Sequence, residues 1–249
     1  MLKCNVTAAS RVGCIRDNNE DMILVCDTFI RDDSLSETYE IDPSKRFLMA
    51  LADGMGGHNS GEVASSDVLH NLQFFYSDIP SGLCAGDFNE VIYEWLTSMN
   101  NILEAKGRVE PALKDMGTTL VALALYENNF YWMNCGDSRL YRFRNGKLEQ
   151  LSIDHSLSNL LGEKGHSNVI TNCIGGGCDN SYIDIVKCTS DVKVGDMFLL
   201  CSDGLSDMVS DRMIENLLND GADASQLCDE AENAGGLDNV SVALITIGF

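Results

Sequence analysis

Three apolar runs in this sequence end in an aspartate beside a glycine: Leu51-Ala52-Asp53-Gly54, Asn134-Cys135-Gly136-Asp137 and Cys201-Ser202-Asp203-Gly204. A fourth aspartate, Asp238, stands just ahead of the apolar run 240–247. Each alone is ordinary turn chemistry, since Asp and Gly both favour turns. Together they imply that strands of one core deliver several carboxylates to one partly buried place. Like charges repel there, and desolvation costs several kcal/mol per ion, so a counter-charge is required. Lys and Arg are scarce near these positions, which leaves a hard cation with oxygen ligands, Mg²⁺, Mn²⁺ or Ca²⁺. A glycine beside an aspartate lets a backbone carbonyl or a water approach the same ion, and Gly54 is the best placed.

A second constellation is Gly13-Cys14-Ile15-Arg16-Asp17-Asn18-Asn19-Glu20-Asp21. Arg16 offers a planar fork for a phosphate dianion, and Glu20 a carboxylate for a metal. The competing reading is a surface ion pair between the two, worth under about 1 kcal/mol.

The elements that must position these groups are legible as periodicity. Strand-length apolar runs occur at 22–26, 47–52, 119–126, 130–135, 197–201 and 240–247, and Asn145-Gly146 predicts a two-residue hairpin between 139–144 and 147–151. Apolar residues recur at helical spacing from Asp87 to Lys106, with Asp87 and Glu90 as the capping arrangement and Gly107 as the stop. Another helix is expected from Asn59 or Ser60 to about Tyr76, and two shorter ones after Ser210 and Asp223. Helices segregated from mostly antiparallel strands give an α+β layered domain. The polar stretch 27–46 reads as a solvated connection, against the alternative of a partner-docking insert.

Composition narrows the function. The 249 residues, 45% apolar, suit one large domain, 1–249. A formal charge of -21, from 38 acidic and 17 basic residues, disfavours nucleic acid and anionic membrane as partners. The first residues lack a signal-peptide pattern and no run approaches a spanning length, so a cytoplasmic, soluble chain is expected. The 10 cysteines include no Cys-x-x-Cys pair and read as reduced core hydrophobes. His166 with Cys173 and Cys178 has the wrong spacing for a common zinc site.

Taken in order, 13–21, Ala52-Asp53-Gly54-Met55-Gly56-Gly57-His58, Met116-Gly117-Thr118-Thr119, Gly136-Asp137-Ser138-Arg139, Asp154-His155-Ser156, Ser202-Asp203-Gly204-Leu205-Ser206-Asp207 and Asp238-Asn239-Val240-Ser241 resemble the successive motifs of the metal-dependent protein phosphatases, the PPM or type 2C family, in its bacterial form. The resemblance covers nearly the whole chain. It implies a four-layer αββα sandwich, a central antiparallel β-sandwich flanked by helix pairs, with a metal cleft at one end. It implies hydrolysis of phosphoserine and phosphothreonine esters on proteins by a metal-activated water. It makes Asp53 the bridge between two tightly bound Mg²⁺ or Mn²⁺ ions, with Asp203 and Asp238 completing the first site. Glu20 and the Gly54 carbonyl serve the second, and Asp137, Asp203 and Asp207 form a weaker third. Arg16 holds the substrate phosphate, and Asp21 orients water. The partners implied are phosphorylated proteins, opposite a serine/threonine kinase in signalling, with the enzyme a monomer.

The sequence departs from that pattern in two places. Met55 follows the Asp53-Gly54 pair where eukaryotic relatives have histidine, so His58 is the candidate general acid, against a role at the helix start. The flap, at about 157–180, is short and glycine-rich, which implies either a more open cleft or only a different loop length. His155 is assigned to a structural turn, and Ser138 and Arg139 to supporting Asp137 or the hairpin. Two rivals remain: a catalytically weak phosphoprotein-binding regulatory module of the same fold, and a metal-dependent hydrolase of other phosphoesters. The first predicts gaps among the acidic positions, and none is found.

Overall fold

The computed structural model describes residues 2–42, 44–56, 60–162, 169–178 and 180–248. In chain order the first half runs β1 (Leu2–Arg11), β2 (Asp21–Val25), β3 (Thr28–Ile30), β4 (Asp33–Ile41), β5 (Phe47–Met55), α1 (Ser60–Asp78), α2 (Ala85–Val109), β6 (Gly117–Thr118) and β7 (Leu120–Tyr126). The second half adds β8 (Asn129–Cys135), β9 (Arg139–Arg144), β10 (Lys147–Gln150), α3 (Leu157–Leu161), β11 (Ile174–Gly175), β12 (Asp184–Lys187) and β13 (Met197–Cys201). It closes with α4 (Asp203–Ser206), α5 (Asp211–Asn219), α6 (Ala224–Asn233) and β14 (Val240–Gly248).

Two antiparallel sheets result. One has the order β10-β9-β13-β14-β1-β4; the other runs β11-β6-β5-β7-β8-β12, with β2 on β5 and β3 on β2. The apolar runs are continuous because both faces of each sheet are covered. On β5, Phe47, Met49 and Leu51 face the other sheet together with Phe198, Leu200 and Ile245. Their neighbours Leu48, Ala50 and Ala52 meet Val68, Leu69 and Leu72 of α1 and Phe88, Ile92 and Leu96 of α2. On the far side, Leu199, Val242 and Leu244 pack on Leu205, Ile214, Leu218 and Leu227 of α4, α5 and α6. Period-2 alternation thus separates three cores and gives four layers, α-β-β-α, the architecture that the family resemblance implies.

The predicted strands lie within a few residues of their expected bounds, and the Asn145-Gly146 hairpin is present, with both residues at positive φ, 52° and 76°. The two short helices are capped as expected: Ser210 accepts from the Met213 N–H, and Asp223 and Gln226 complete a reciprocal capping box.

The structure corrects the sequence reading in several places. The stretch 27–46 is no plain connection, because it contains β3 and the nine-residue β4. Leu35, Tyr39 and Ile41 alternate inward onto the inter-sheet core while Ser36, Thr38 and Glu40 do not. Helix α2 begins at Ala85 with Cys84 as its N-cap, the sulfur accepting from the Asp87 N–H, so Asp87 is an early helical residue and not the cap. It also passes through Gly107 to Val109, where Glu110 and Pro111 end it. Strand β1, which had no assignment, lies between β14 and β4.

Truncating a ring in the inter-sheet core should be costly. Phe198→Ala is expected to lower unfolding free energy by about 3–5 kcal/mol in urea titrations. Phe74→Ala, at a side chain 69% exposed, should change it by less than about 0.5 kcal/mol.

Candidate metal centre

Asp21 heads β2, and the antiparallel register sets it directly across from Asp53 near the end of β5. Both belong to one sheet. The link to the other is Ser202, just past β13, whose hydroxyl accepts from the Ser241 N–H at 3.0 Å and donates to Asp21 Oδ2 at 2.8 Å. Asp21 is fully buried.

Asp53 is fixed through its backbone. Its carbonyl accepts from the Thr119 N–H at 2.9 Å and the Thr118 hydroxyl at 2.8 Å, while its N–H donates to Thr119 Oγ1 at 3.0 Å. The start of α1 lies so close to β5 that a Cβ on Gly54 would fall 2.1 Å from the Gly61 carbonyl oxygen. The Gly54 N–H donates to the Glu20 carbonyl at 3.2 Å.

Asn239 joins the first loop to the last. Its Oδ1 accepts from the Glu20 N–H at 2.9 Å, and its amide donates to the carbonyls of Val12 and Asn18, each at 2.9 Å. One buried side chain thereby positions both Glu20 and its own neighbour Asp238, whose Oδ1 accepts from the Asn239 N–H at 2.8 Å. Close packing does the rest: Gly13, at φ +79°, has no room for a Cβ, which would lie 2.2 Å from the Asp238 carbonyl oxygen.

Asp203 starts α4 and Asp207 follows its last turn, with the Asp207 N–H donating to the Asp203 carbonyl at 2.8 Å. Four residues apart on helical backbone, they share a face. Asp137, buried, sits in the β8–β9 turn. That turn is clamped by His155, whose N–H donates to the Gly136 carbonyl at 2.9 Å while its Nδ1 accepts the Gly136 N–H at 3.1 Å. Accepting at Nδ1 puts the ring proton of neutral His155 on Nε2, 3.1 Å from Asp184 Oδ2. His155 is thus a turn residue, as expected. Arg139 makes a two-pronged contact with Asp154 at 2.7–3.0 Å, and Ser138 bonds Thr119 at 2.7 Å, both supporting roles.

The electrostatics of this end of the sandwich are one-sided. Burial raises the pKa of Asp53 well above the usual carboxylate range, and Asp21, Asp203, Asp137 and Asp238 raise it further. Burial followed by Asp137, Asp238 and Asp207 pushes Asp203 up to about 8. Asp21 and Asp137 are each pushed to about 6, burial again leading. Glu20 is raised too, burial outweighing the opposing pull of Arg16. Buried Asp21 Oδ1 and Asp137 Oδ1 have no hydrogen-bond partner. Acceptor-only atoms so placed call for a cation, and an all-oxygen donor set suits Mg²⁺ or Mn²⁺. Among the described residues no three His, Cys, Asp or Glu side chains are already drawn into a closed cage. The acids lie within electrostatic range of one another, each raising its neighbours' pKa.

Arg16 stands at the rim, its Nη2 2.7 Å from Asp238 Oδ2 and its side chain 51% exposed. The competing reading of the sequence is a surface pair with Glu20; the pair observed is with Asp238. Asp53, Gly54, Asp21, Glu20, Asp137, Asp203, Asp207 and Asp238 are all brought to this end of the sandwich, whereas His58 lies outside the described residues.

The sequence reading assigned no role to Asn239, Ser202 or Thr118, although all three fall inside quoted motifs. It also missed Arg31, which donates to the Asp21 carbonyl at 2.8 Å and to Ser65 Oγ at 2.8 Å and pairs with Glu62. Arg31 lies in the stretch read as a connection, and only the strand alternation of 35–41 could have flagged it.

The profile of the protein phosphatase 2C family matches residues 27–237. The serine/threonine protein phosphatase PstP of Mycobacterium tuberculosis is 32% identical over 250 residues, covering 96% of this chain. This chain spans only 44% of that relative's length. The protein phosphatase PhpP of Streptococcus pneumoniae is 31% identical over 257 residues, covering 97% of both chains. Among solved structures, the catalytic domain of PstP in complex with two manganese ions superposes with a TM-score of 0.77 at 31% identity, covering 100% of each chain.

If Asn239 is the brace that sets Glu20 beside Asp238, Asn239→Ala leaves a buried N–H and two carbonyls unpaired. Urea unfolding should then show a loss of about 2 kcal/mol or more. A change below about 0.5 kcal/mol would show that the loops hold without it.

Proposed function

The chain belongs to the protein phosphatase 2C family, and on that premise we propose that it hydrolyses phosphoserine and phosphothreonine esters on proteins. The observation that supports this most is the cup of carboxylates, with two buried oxygens unpartnered, beside a half-exposed arginine. Asp53, Asp203 and Asp238 would hold one cation, Glu20 and the Gly54 carbonyl a second, and Asp137, Asp203 and Asp207 a weaker third. Bound there, Mg²⁺ or Mn²⁺ supplies Lewis acidity, lowering the pKa of water toward neutrality.

The chain's own groups do the remaining work. Arg16 keeps guanidinium donors beyond the one spent on Asp238 and takes non-bridging phosphate oxygens. Asp21, anchored by Ser202 and with Oδ1 free of partners, orients water by accepting its hydrogen bond. His58 is the proposed proton donor to the leaving seryl or threonyl oxygen. The domain acts as one unit over 1–249, as a cytoplasmic monomer opposing a serine/threonine kinase. No described helix is long and apolar enough to cross a membrane. A regulatory module without catalysis has no use for so many acids in mutual electrostatic range, which favours the enzyme.

The deciding experiment is hydrolysis of phosphoserine, phosphothreonine and phosphotyrosine peptides with and without Mn²⁺. Turnover of the first two, lost in EDTA and restored by Mn²⁺ or Mg²⁺, is expected; metal-independent turnover would refute the reading. Asp53→Ala should reduce kcat by at least about 10²–10³, the cost of removing a charge-stabilising group. Arg16→Ala should chiefly raise KM, and an unchanged KM would remove its phosphate role.

A further inference from the structure

Outside the acidic cup, the described residue pair whose chemistry remains unused is Cys173 and Cys178. The segment Cys173-Ile174-Gly175-Gly176-Gly177-Cys178 is held in an unusual backbone: all three glycines lie in the left-handed region, at φ 74°, 62° and 75°. Side-chain-bearing residues rarely tolerate that conformation once, and a run of three needs glycine. The turn closes with the Cys178 N–H donating to the Gly175 carbonyl at 3.0 Å, which folds the chain back on itself. As a result the Cys173 thiol lies 3.3 Å from Cys178 Sγ. Crowding reinforces the approach, since a Cβ on Gly176 would fall 2.8 Å from Cys173 Sγ.

We propose that Cys173 and Cys178 form a reversible disulfide, a redox modification site oxidised by a hydroperoxide and reduced by a small dithiol. A disulfide needs about 2.05 Å between sulfurs, so the sulfurs move by roughly one ångström, within reach of a glycine turn. Access is asymmetric: Cys173 is 3% exposed and Cys178 partly exposed. A cleft of about 340 Å³, lined by Leu103, Met116 and the three glycines, opens onto the same turn. The peroxide therefore meets Cys178 first. Its thiolate sulfur takes one peroxide oxygen, the O–O bond breaks, and hydroxide leaves, which a proton converts to water. Cys173, held in contact, gives up its proton and attacks the resulting sulfenic sulfur, the S–O bond breaks, and a second water leaves. In sum, two thiols and one hydroperoxide molecule, as H₂O₂, give one disulfide and two waters, with two electrons passing from sulfur to oxygen. Burial raises the Cys173 thiol, so it is a poor first target and serves as the resolving partner.

The crosslink bears on the neighbouring sheet. The turn is bonded through Ile174–Gly175 to Gly117–Thr118, and those to Gly54–Met55. The inference itself does not depend on the proposed activity.

The test uses the full chain with the exposed Cys14 and Cys84 replaced by Ser, treated with equimolar hydrogen peroxide, denatured, alkylated and mapped by mass spectrometry. The expected result is a 173–178 peptide lacking two hydrogens and refusing alkylation, with both sites alkylated again after dithiothreitol. Cys178→Ser should abolish that crosslink, and the parent protein's peptide map stands on its own if the variant fails to fold. Both thiols alkylated after peroxide, a sulfinic acid at Cys178, or pairing of either cysteine with another residue would overturn the proposal.

Discussion

The structure turns on electrostatic repulsion that the fold imposes and does not relieve. Asp21, Asp53, Asp137, Asp203 and Asp238 are held in mutual range by backbone ladders, and burial together with like charge raises Asp53 and Asp203 out of the usual carboxylate range. A hydrophobic sandwich supplies the force that holds them there. Three apolar cores fix four layers, and the ends of β5 and β13 and the approach to β14 have no freedom to move their acids apart. The oxygens of Asp21 and Asp137 left without partners are the local sign of this arrangement. In family terms it is a receptor for cations whose binding energy is stored as strain among carboxylates.

Small polar residues divide that burden. Ser202 ties Asp21 of one sheet to Ser241 on β14 of the other, Thr118 and Thr119 hold the Asp53 backbone, and Asn239 spans from the first loop to the last. Their hydrogen bonds go mostly to the frame, and two carboxylate oxygens, Asp21 Oδ1 and Asp137 Oδ1, are left without partners. Arg31, just past β3, serves the frame in the same way through the Asp21 carbonyl. Because these partners are neutral or point their charge elsewhere, they set geometry without neutralising the cup.

Much of this was legible in the sequence because burial and function leave different marks. Apolar runs at 47–52, 197–201 and 240–247 announced strands covered on both faces, and the aspartates at their ends announced the site. What escaped was whatever the pattern of polarity disguises. Strand β4 lies at a sheet edge, so Asp33, Glu37 and Glu40 made it read as a loop, although Leu35, Tyr39 and Ile41 kept the alternation. Cys84, and not the expected Asp87, caps the helix because its sulfur accepts the N–H of Asp87 itself, a role that residue preferences do not favour. The pairing of Arg16 with Asp238 was hidden for another reason: 222 positions separate them, and no local spacing encodes so distant a contact.

That distance also orders assembly. Strand β1 is zipped along β14 from Lys3 opposite Gly248 to Arg11 opposite Val240, so the middle of one sheet is built from residues more than two hundred positions apart. Contacts of such separation carry a large loop-closure cost and belong to slow folding. On a ribosome, Asp21 and Asp53 would emerge long before Asp238, and the acidic cup would close only when the last strand found its place. A nascent chain would then wait with its central sheet split, and the ability to capture a cation would arrive together with the native fold.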